Sequence, residues 1–118
     1  MFSIFRKSEP GLDAKAAIPL VASGELTLID VREPAEVKAS GKAAGAIAIP
    51  LGVLPLKANL ASPDKDKRLS LDKPIAVYCL SGARSANAKR VLEGLGYKNV
   101  SNIGGFGNWQ QAGGAIAN

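Results

Sequence analysis

The chain has 118 residues, 47% hydrophobic and 21% charged, so we expect one globular domain rather than a disordered or fibrous chain. One cysteine and no histidine exclude an internal disulfide, a CxxC pair and catalysis by Ser-His-Asp or Cys-His arrangements. The net charge is +5, and most of the positive excess lies in the second half of the chain. This indicates either a solvated basic face or an electrostatic field that favours small anions. The basic residues are scattered and the aromatic residues are few, which disfavours nucleic acid binding.

The first eleven residues, MFSIFRKSEPG, are expected to form an extension before a folded domain at residues 12–118. Their apolar patch is too short for the core of a secretory signal. No apolar run in the chain approaches the roughly 20 residues that a membrane-spanning helix needs. We therefore expect a cytoplasmic protein without a membrane span.

Helical and strand-like patterns alternate from the start of this domain. The segment LDAKAAIPLVASG has helical spacing, with Asp13 as N-cap and with Pro19 expected to kink or shorten the helix. The β-rich run Leu26–Val31 follows, and then a short helix with Pro34 in its first turn that stops before Gly41.

The second half continues the alternation. GAIAIPL predicts a short strand, LPLKANL one or two helical turns, and ASPDKDKRLSLDK a charged surface loop. PIAVYC is a continuous apolar strand of the kind that is buried on both faces of a parallel sheet. SANAKRVLEGLG predicts a helix, NVSNI a last strand, and GGFGNWQQAGG a turn and short helix.

This order of elements predicts an α/β fold with a mostly parallel sheet. Ligands of such sheets bind beyond the carboxyl ends of the strands. Asp30, Arg32 and Cys79 all lie at such ends, and they are the first candidates for a functional site.

Cys79 opens the segment CLSGARS, where a strand gives way to a helix. A lone cysteine at the end of an apolar strand is often only a small buried hydrophobic residue. Here Gly82 permits backbone angles that turn loop amides inward, and Arg84 and the helix N-terminus add positive potential. The alternative to a buried structural cysteine is therefore an activated thiolate.

The magnitudes allow activation without imidazole. An ordinary thiol of pKa ~8.5 is only a few per cent thiolate at neutral pH. Lowering the pKa by roughly two units requires about 2.7 kcal/mol, and charge-assisted hydrogen bonds contribute about 1.5–3 kcal/mol each. Two or three loop amides are enough.

Loop length separates two chemistries. Protein tyrosine phosphatases carry Cys-x5-Arg, whereas Cys79 and Arg84 form Cys-x4-Arg, one residue shorter. The tighter ring suits one extra sulfur atom on the cysteine better than a phosphoryl group.

At this point the sequence resembles the single-domain rhodanese (thiosulfate sulfurtransferase) family. LIDVREPAEV, SGKAAGAIAIPL, VYCLSGARSA and NIGGFGNWQQAGG are similar to four motifs of that family and stand in the same order. The resemblance implies a rhodanese-like three-layer fold, with a mainly parallel five-stranded sheet flanked by helices. It departs at Lys42 and Ala43, where the family has His and Ile.

The resemblance also implies ping-pong sulfur transfer without a metal or other cofactor. Cys79 would take a sulfane sulfur from a small anionic donor such as thiosulfate and hold it as a persulfide. A thiol, cyanide or a protein thiol would then accept the sulfur. The loop that binds the persulfide would consist of Leu80, Ser81, Gly82, Ala83, Arg84 and Ser85.

Several residues keep two interpretations each. Asp30 and Arg32 either tie the strand end to neighbouring loops, or orient Arg84 and attract the donor. Arg84 either contacts the donor or forms a salt bridge that shapes the loop. Ser85 is a helix cap or a sulfur ligand, and Ser81 faces either the sulfur or water.

The remaining conspicuous residues are interpreted as structural. Tyr97, Phe106 and Trp109 are expected in the core, and Gly104 and Gly105 are expected to allow close packing, since GGFG lacks the spacing of a nucleotide loop.

Two other functions remain open beside the enzyme. One is a sulfur carrier or protein-docking module that binds partners through the basic DKDKRLSLDK loop. The other is phosphatase or arsenate reductase chemistry, which the short loop and the lack of a second cysteine oppose.

Overall fold

The computed structural model describes residues 12–118, so the extension expected at residues 1–11 lies outside the described residues. A short 3-10 turn at Leu51–Val53 precedes the helix at Leu54–Ala58. The helices and strands, in chain order, are α1 (Ala14–Ala22), β1 (Thr27–Asp30), α2 (Pro34–Ser40), β2 (Lys42–Ala43), β3 (Ile47–Ala48), α3 (Leu54–Ala58), β4 (Ile75–Cys79), α4 (Ala83–Gly94), β5 (Val100–Gly105), α5 (Phe106–Gln111) and β6 (Ile116–Ala117).

The central sheet has four parallel strands in the order β3-β1-β4-β5. Strand β4 lies between two neighbours, and all five of its residues are buried, as the apolar run predicted. One face of the sheet packs against α3 and α4, and the other against α1 and α5. The expected α/β, three-layer architecture is confirmed.

The strand count of this sheet is four rather than five. The remaining strands, β2 and β6, form a separate antiparallel pair in which Lys42 faces Ala117 and Ala43 faces Ile116. NVSNI is therefore not the last strand. Each of these two strands has only two residues, too few for a period-two pattern to be recognised in the sequence.

The helix termini follow the sequence signals closely. The Asp13 carboxylate accepts a hydrogen bond from the Ala16 amide at 2.9 Å, and Pro34 is the first residue of α2, which ends before Gly41. Pro19 lies inside α1 without ending it. A proline has no amide proton, so the carbonyl four residues earlier, that of Lys15, lacks its helical hydrogen bond. Both residues lie on the exposed side of the helix, so Pro19 is tolerated there. No helix within residues 12–118 combines the length and hydrophobicity needed to span a bilayer.

The segment between α3 and β4 is a loop, as predicted, but it is anchored. Leu69 is buried in the core, and the Lys65 ammonium donates to the Leu69 carbonyl at 2.5 Å. Arg68 and Lys73 border a surface cavity beside Thr27, the first residue of β1. This part of the loop therefore lies at the amino ends of the strands, at the opposite edge from Cys79.

Candidate active site

Cys79 is the last residue of β4, and its side chain is completely buried, with 0% exposure. Its neighbour Tyr78 pairs in register with Asp30, the last residue of β1. The carboxyl ends of the two strands therefore meet where the sequence predicted the site. The thiol packs within the apolar cluster on the α4 side of the sheet, so the structure combines burial with the polar contacts described next.

Two backbone amides point at the sulfur of Cys79. The Gly82 amide nitrogen lies 3.0 Å from the sulfur, and the Ser85 amide nitrogen lies 3.4 Å from it. Gly82 has a φ of +102°, a left-handed conformation that glycine adopts without strain. Ser85 is the third residue of α4, so its amide is one of the helix N-terminal donors that lack a partner within the helix.

These contacts change the acidity of the thiol. Burial raises the pKa of Cys79, but the contacts of the sulfur with the Ser85 hydroxyl and then with the backbone amides of Ser85, Gly82 and Ser81 outweigh burial and hold the pKa below its ordinary value. Loop amides are thus among the groups that favour the thiolate, as expected for a chain without an imidazole.

The other predicted loop residues have different surroundings. Leu80 is 59% exposed, and Ser81 and Ala83 are also exposed. The amides of Ala83 and Arg84 have no hydrogen-bond acceptor within the described part of the chain. They are the remaining donors of the first turn of α4.

Arg84 is engaged by Glu36 of α2, a residue that was not among the predicted site residues. Its two terminal nitrogens lie 2.5 and 2.9 Å from the two carboxylate oxygens of Glu36. The Arg84 guanidinium, followed by the hydrogen bond from the Glu33 amide, lowers the pKa of Glu36 to about 2. The spacing of Glu33 and Glu36 at the start of a predicted helix was the available signal, since it is that of a capping box.

Asp30 and Arg32 pair with each other rather than with Arg84. The Arg32 Nε and a terminal nitrogen lie 3.0 and 2.7 Å from the two carboxylate oxygens of Asp30, and both side chains are buried. Arg32 also donates to the Ser40 hydroxyl and the Gly41 carbonyl, at 2.9 and 2.8 Å. This pair ties the end of β1 to the end of α2, so the geometry agrees with the structural interpretation.

Aromatic residues surround this buried ion pair. The Tyr78 hydroxyl donates to Asp30 at 2.6 Å and accepts from the Ala43 amide at 2.9 Å. Burial, and then the hydrogen bond to Asp30, raises the pKa of Tyr78. The Arg32 guanidinium carbon lies 4.3 Å from the ring centroid of Phe106, within cation–π range.

The residues interpreted as structural are in the core. Tyr97, Phe106 and Trp109 are each buried. A Cβ atom added to Gly105 would collide with the Leu80 carbonyl, so this glycine allows β5 to approach the cysteine loop.

Asn102 of β5 is a second residue that was missed. Its side chain bonds to three groups around the loop: the Gly82 carbonyl, the Gly104 amide and the Ser85 hydroxyl. A single asparagine in a strand pattern carries no signal of such a contact, because the contact depends on how β5 lies beside the loop.

A model of the rhodanese-like domain family matches residues 13–112, most of the chain. The thiosulfate sulfurtransferase PspE of Escherichia coli is 33% identical over 103 residues, which cover 87% of this chain and 90% of that protein. A relative from Schizosaccharomyces pombe is 39% identical over 87 residues; the match covers 70% of this chain but only 59% of that protein.

Among solved structures, a protein of unknown function from Rhodopseudomonas palustris, described as a possible tyrosine phosphatase, is similar with a TM-score of 0.80. It is 35% identical, and the match covers 90% of this chain and 83% of that one.

Proposed function

The chain belongs to the rhodanese-like domain family, and we propose that it is a sulfurtransferase that carries sulfur as a persulfide on Cys79. The observation that carries this proposal is the pair of amides, from Gly82 and Ser85, directed at the Cys79 sulfur. They supply the stabilisation that a thiolate needs in a chain without histidine. The name of the Escherichia coli relative supports thiosulfate as donor.

In the first step, the Cys79 thiolate attacks the outer sulfur of thiosulfate. A sulfur–sulfur bond forms to Cys79, the sulfur–sulfur bond of thiosulfate breaks, and sulfite leaves with the electron pair. The negative charge then lies on the terminal sulfur. We propose that the amides of Ala83 and Arg84, which lack other acceptors among the described residues, stabilise this charge as the oxyanion donors of other enzymes do.

In the second step, an acceptor removes the terminal sulfur. A thiolate or cyanide attacks that atom, the bond to Cys79 breaks, and the Cys79 thiolate is restored with its electron pair. Neither step consumes a proton or needs an oxidant, so no further cofactor enters the scheme.

Arg84 is proposed to shape the loop through Glu36 rather than to hold the donor tightly. Both carboxylate oxygens of Glu36 face its terminal nitrogens, so the charge of the guanidinium is already compensated. The same engagement disfavours phosphatase chemistry, in which a loop arginine must bind phosphate. We expect no Cys79-dependent hydrolysis of p-nitrophenyl phosphate.

The carrier or docking alternative loses part of its basis. Arg68 and Lys73 of the basic loop lie beside Thr27 at the amino ends of the strands, away from Cys79. The apolar group beside the thiol is Leu80, which is 59% exposed. A protein acceptor at Cys79 would therefore meet Leu80 rather than Arg68 or Lys73.

The experiment is thiosulfate:cyanide turnover combined with intact-mass measurement after thiosulfate treatment. We expect turnover and a mass increase of one sulfur atom, both absent in Cys79→Ser. Ser81→Ala, an exposed change in the same loop, is the matched control and should retain both. Full turnover by Cys79→Ser would overturn the proposal.

A further inference from the structure

The orientation of the Asn102 side-chain amide is fixed by its neighbours. Its nitrogen donates to the Gly82 carbonyl at 3.0 Å, and its oxygen accepts from the Gly104 amide at 2.9 Å. Rotating the amide by 180° would place a donor against the Gly104 N–H and an acceptor against the Gly82 carbonyl. Only the present orientation satisfies both contacts.

This orientation determines where the Ser85 hydroxyl proton lies. The Ser85 oxygen is 2.7 Å from the Asn102 oxygen, the usual length of an O–H···O hydrogen bond. The Asn102 oxygen has no proton, so Ser85 must be the donor. Its only proton is then directed away from the Cys79 sulfur, which lies 3.4 Å from the same hydroxyl oxygen.

We propose that Asn102 is a positioning residue that holds the Ser85 hydroxyl proton away from Cys79, so that the hydroxyl presents lone pairs to the sulfur. In this arrangement Ser85 can accept a hydrogen bond from the neutral thiol but does not donate to the thiolate. The backbone amides of Gly82 and Ser85 are then the donors to the thiolate, and the hydroxyl opposes ionisation.

The assignment replaces the simplest interpretation of the short Ser85–Cys79 contact, in which the hydroxyl donates to the sulfur and helps to lower the pKa of the thiol. Donor counting decides between them, because one proton cannot satisfy a 2.7 Å oxygen contact and a 3.4 Å sulfur contact together. For the sulfur-loaded state the inference rests on the proposed function. In the proposed persulfide the negative charge lies on the terminal sulfur, so the lone pairs of the Ser85 hydroxyl repel the Cys79 sulfur less.

The charged groups near the thiol are already paired. Arg84 of α4 is bound by Glu36 of α2, and Asp30 of β1 is bound by Arg32. Strand β5, which carries Asn102, has no titratable side chain. A change at Asn102 therefore acts on the thiol without releasing any of these charges.

The test measures the thiol pKa from the pH dependence of alkylation by iodoacetamide, a reaction that does not require sulfurtransferase activity. In Asn102→Ala the freed hydroxyl can donate to the thiolate, and we expect the pKa of Cys79 to fall by roughly half to one unit. In a Ser85→Ala background the same Asn102 change removes only the contacts with the Gly82 carbonyl and the Gly104 amide, so this fall in the pKa should be absent there. An equal shift in both backgrounds would show that Asn102 acts without Ser85 and would overturn the proposal.

Two further variants keep the result interpretable should Asn102→Ala fold poorly. Asn102→Asp retains the acceptor for Ser85, so the pKa must not fall; a fall would overturn the proposal. Ser85→Ala alone must not raise the pKa, because a rise would show that the hydroxyl donates to the thiolate in the native protein. Thiosulfate loading of Cys79, measured separately by mass, reports on the proposed function independently of these outcomes.

Discussion

The amide nitrogen of Gly82 lies 3.0 Å from the sulfur of Cys79, in a backbone conformation with a φ of +102°. Gly82→Ala places a side chain in that conformation, at a cost of about 1–2 kcal/mol. We expect the loop to relax, the amide to turn from the sulfur, and the thiol pKa to rise. Iodoacetamide alkylation and urea unfolding measure the two effects.

Gly24 supplies the control for this prediction. Its φ is +82°, and a Cβ atom added there would meet nothing within 4 Å. Gly24→Ala should therefore carry a similar backbone strain while leaving the thiol pKa unchanged. Equal thiol pKa values in the Gly82 variant and the native protein would show that this amide does not stabilise the thiolate.

Glu36→Gln should lower the KM for thiosulfate. The amide can still accept a hydrogen bond from Arg84, but the compensating charge is gone, so the anionic donor meets a net positive group. We expect a roughly two- to fivefold decrease in KM, which is the size of effect that one charge of a partly exposed ion pair produces. Glu93→Gln, which removes the partner of Lys89 on the surface of α4, is the control of equal charge change. An unchanged or raised KM in the Glu36 variant contradicts this prediction.

The same pair predicts a pH dependence of stability. The pKa of Glu36 is about 2 in the folded protein, against about 4.3 in an unfolded chain. The ionised carboxylate therefore stabilises the fold above about pH 4.3, and this contribution is lost as the pH falls towards 2. Because both side chains are about one-third exposed, solvent screening limits it to about 0.5–1 kcal/mol.

The measurement compares urea unfolding of the native protein and Glu36→Gln at pH 7 and at several acidic pH values. The difference in the free energy of unfolding should be present at pH 7 and shrink through the acidic range. A difference that is independent of pH would mean that ionisation of Glu36 contributes nothing.

Arg32→Lys should destabilise the protein by about 2–3 kcal/mol, since the buried Asp30 loses a two-point partner. Arg68 and Asp66 form a pair with the same spacing and nearly the same distances, but Arg68 is 65% exposed. Arg68→Lys should therefore cost no more than about 1 kcal/mol. Urea unfolding measures both, and similar values for the two variants would refute a structural role specific to the buried pair.

Local patterns predicted most of this fold because they act within a few residues. Asp13, Pro34 and the apolar run of β4 each define an element from their immediate neighbours. The β2–β6 pair could not be predicted in this way, because it joins residues 42–43 to residues 116–117 through only two residues on each side.

The site shows the same division. Cys79 and Gly82 were predicted as site residues from one contiguous loop. The contacts of Glu36 and Asn102 come from other elements, 48 and 20 residues away from the loop residues that they hold. Only the packing of α2 and β5 around the loop determines that these two side chains reach it.

The complete burial of Cys79 limits which reagents can reach its sulfur. Burial keeps bulky disulfides from the sulfur, which should slow mixed-disulfide formation. In the proposed persulfide, the terminal sulfur lies one sulfur–sulfur bond, about 2 Å, beyond the cysteine sulfur. Under the proposed function, a large acceptor would therefore reach the terminal sulfur without contacting the cysteine itself.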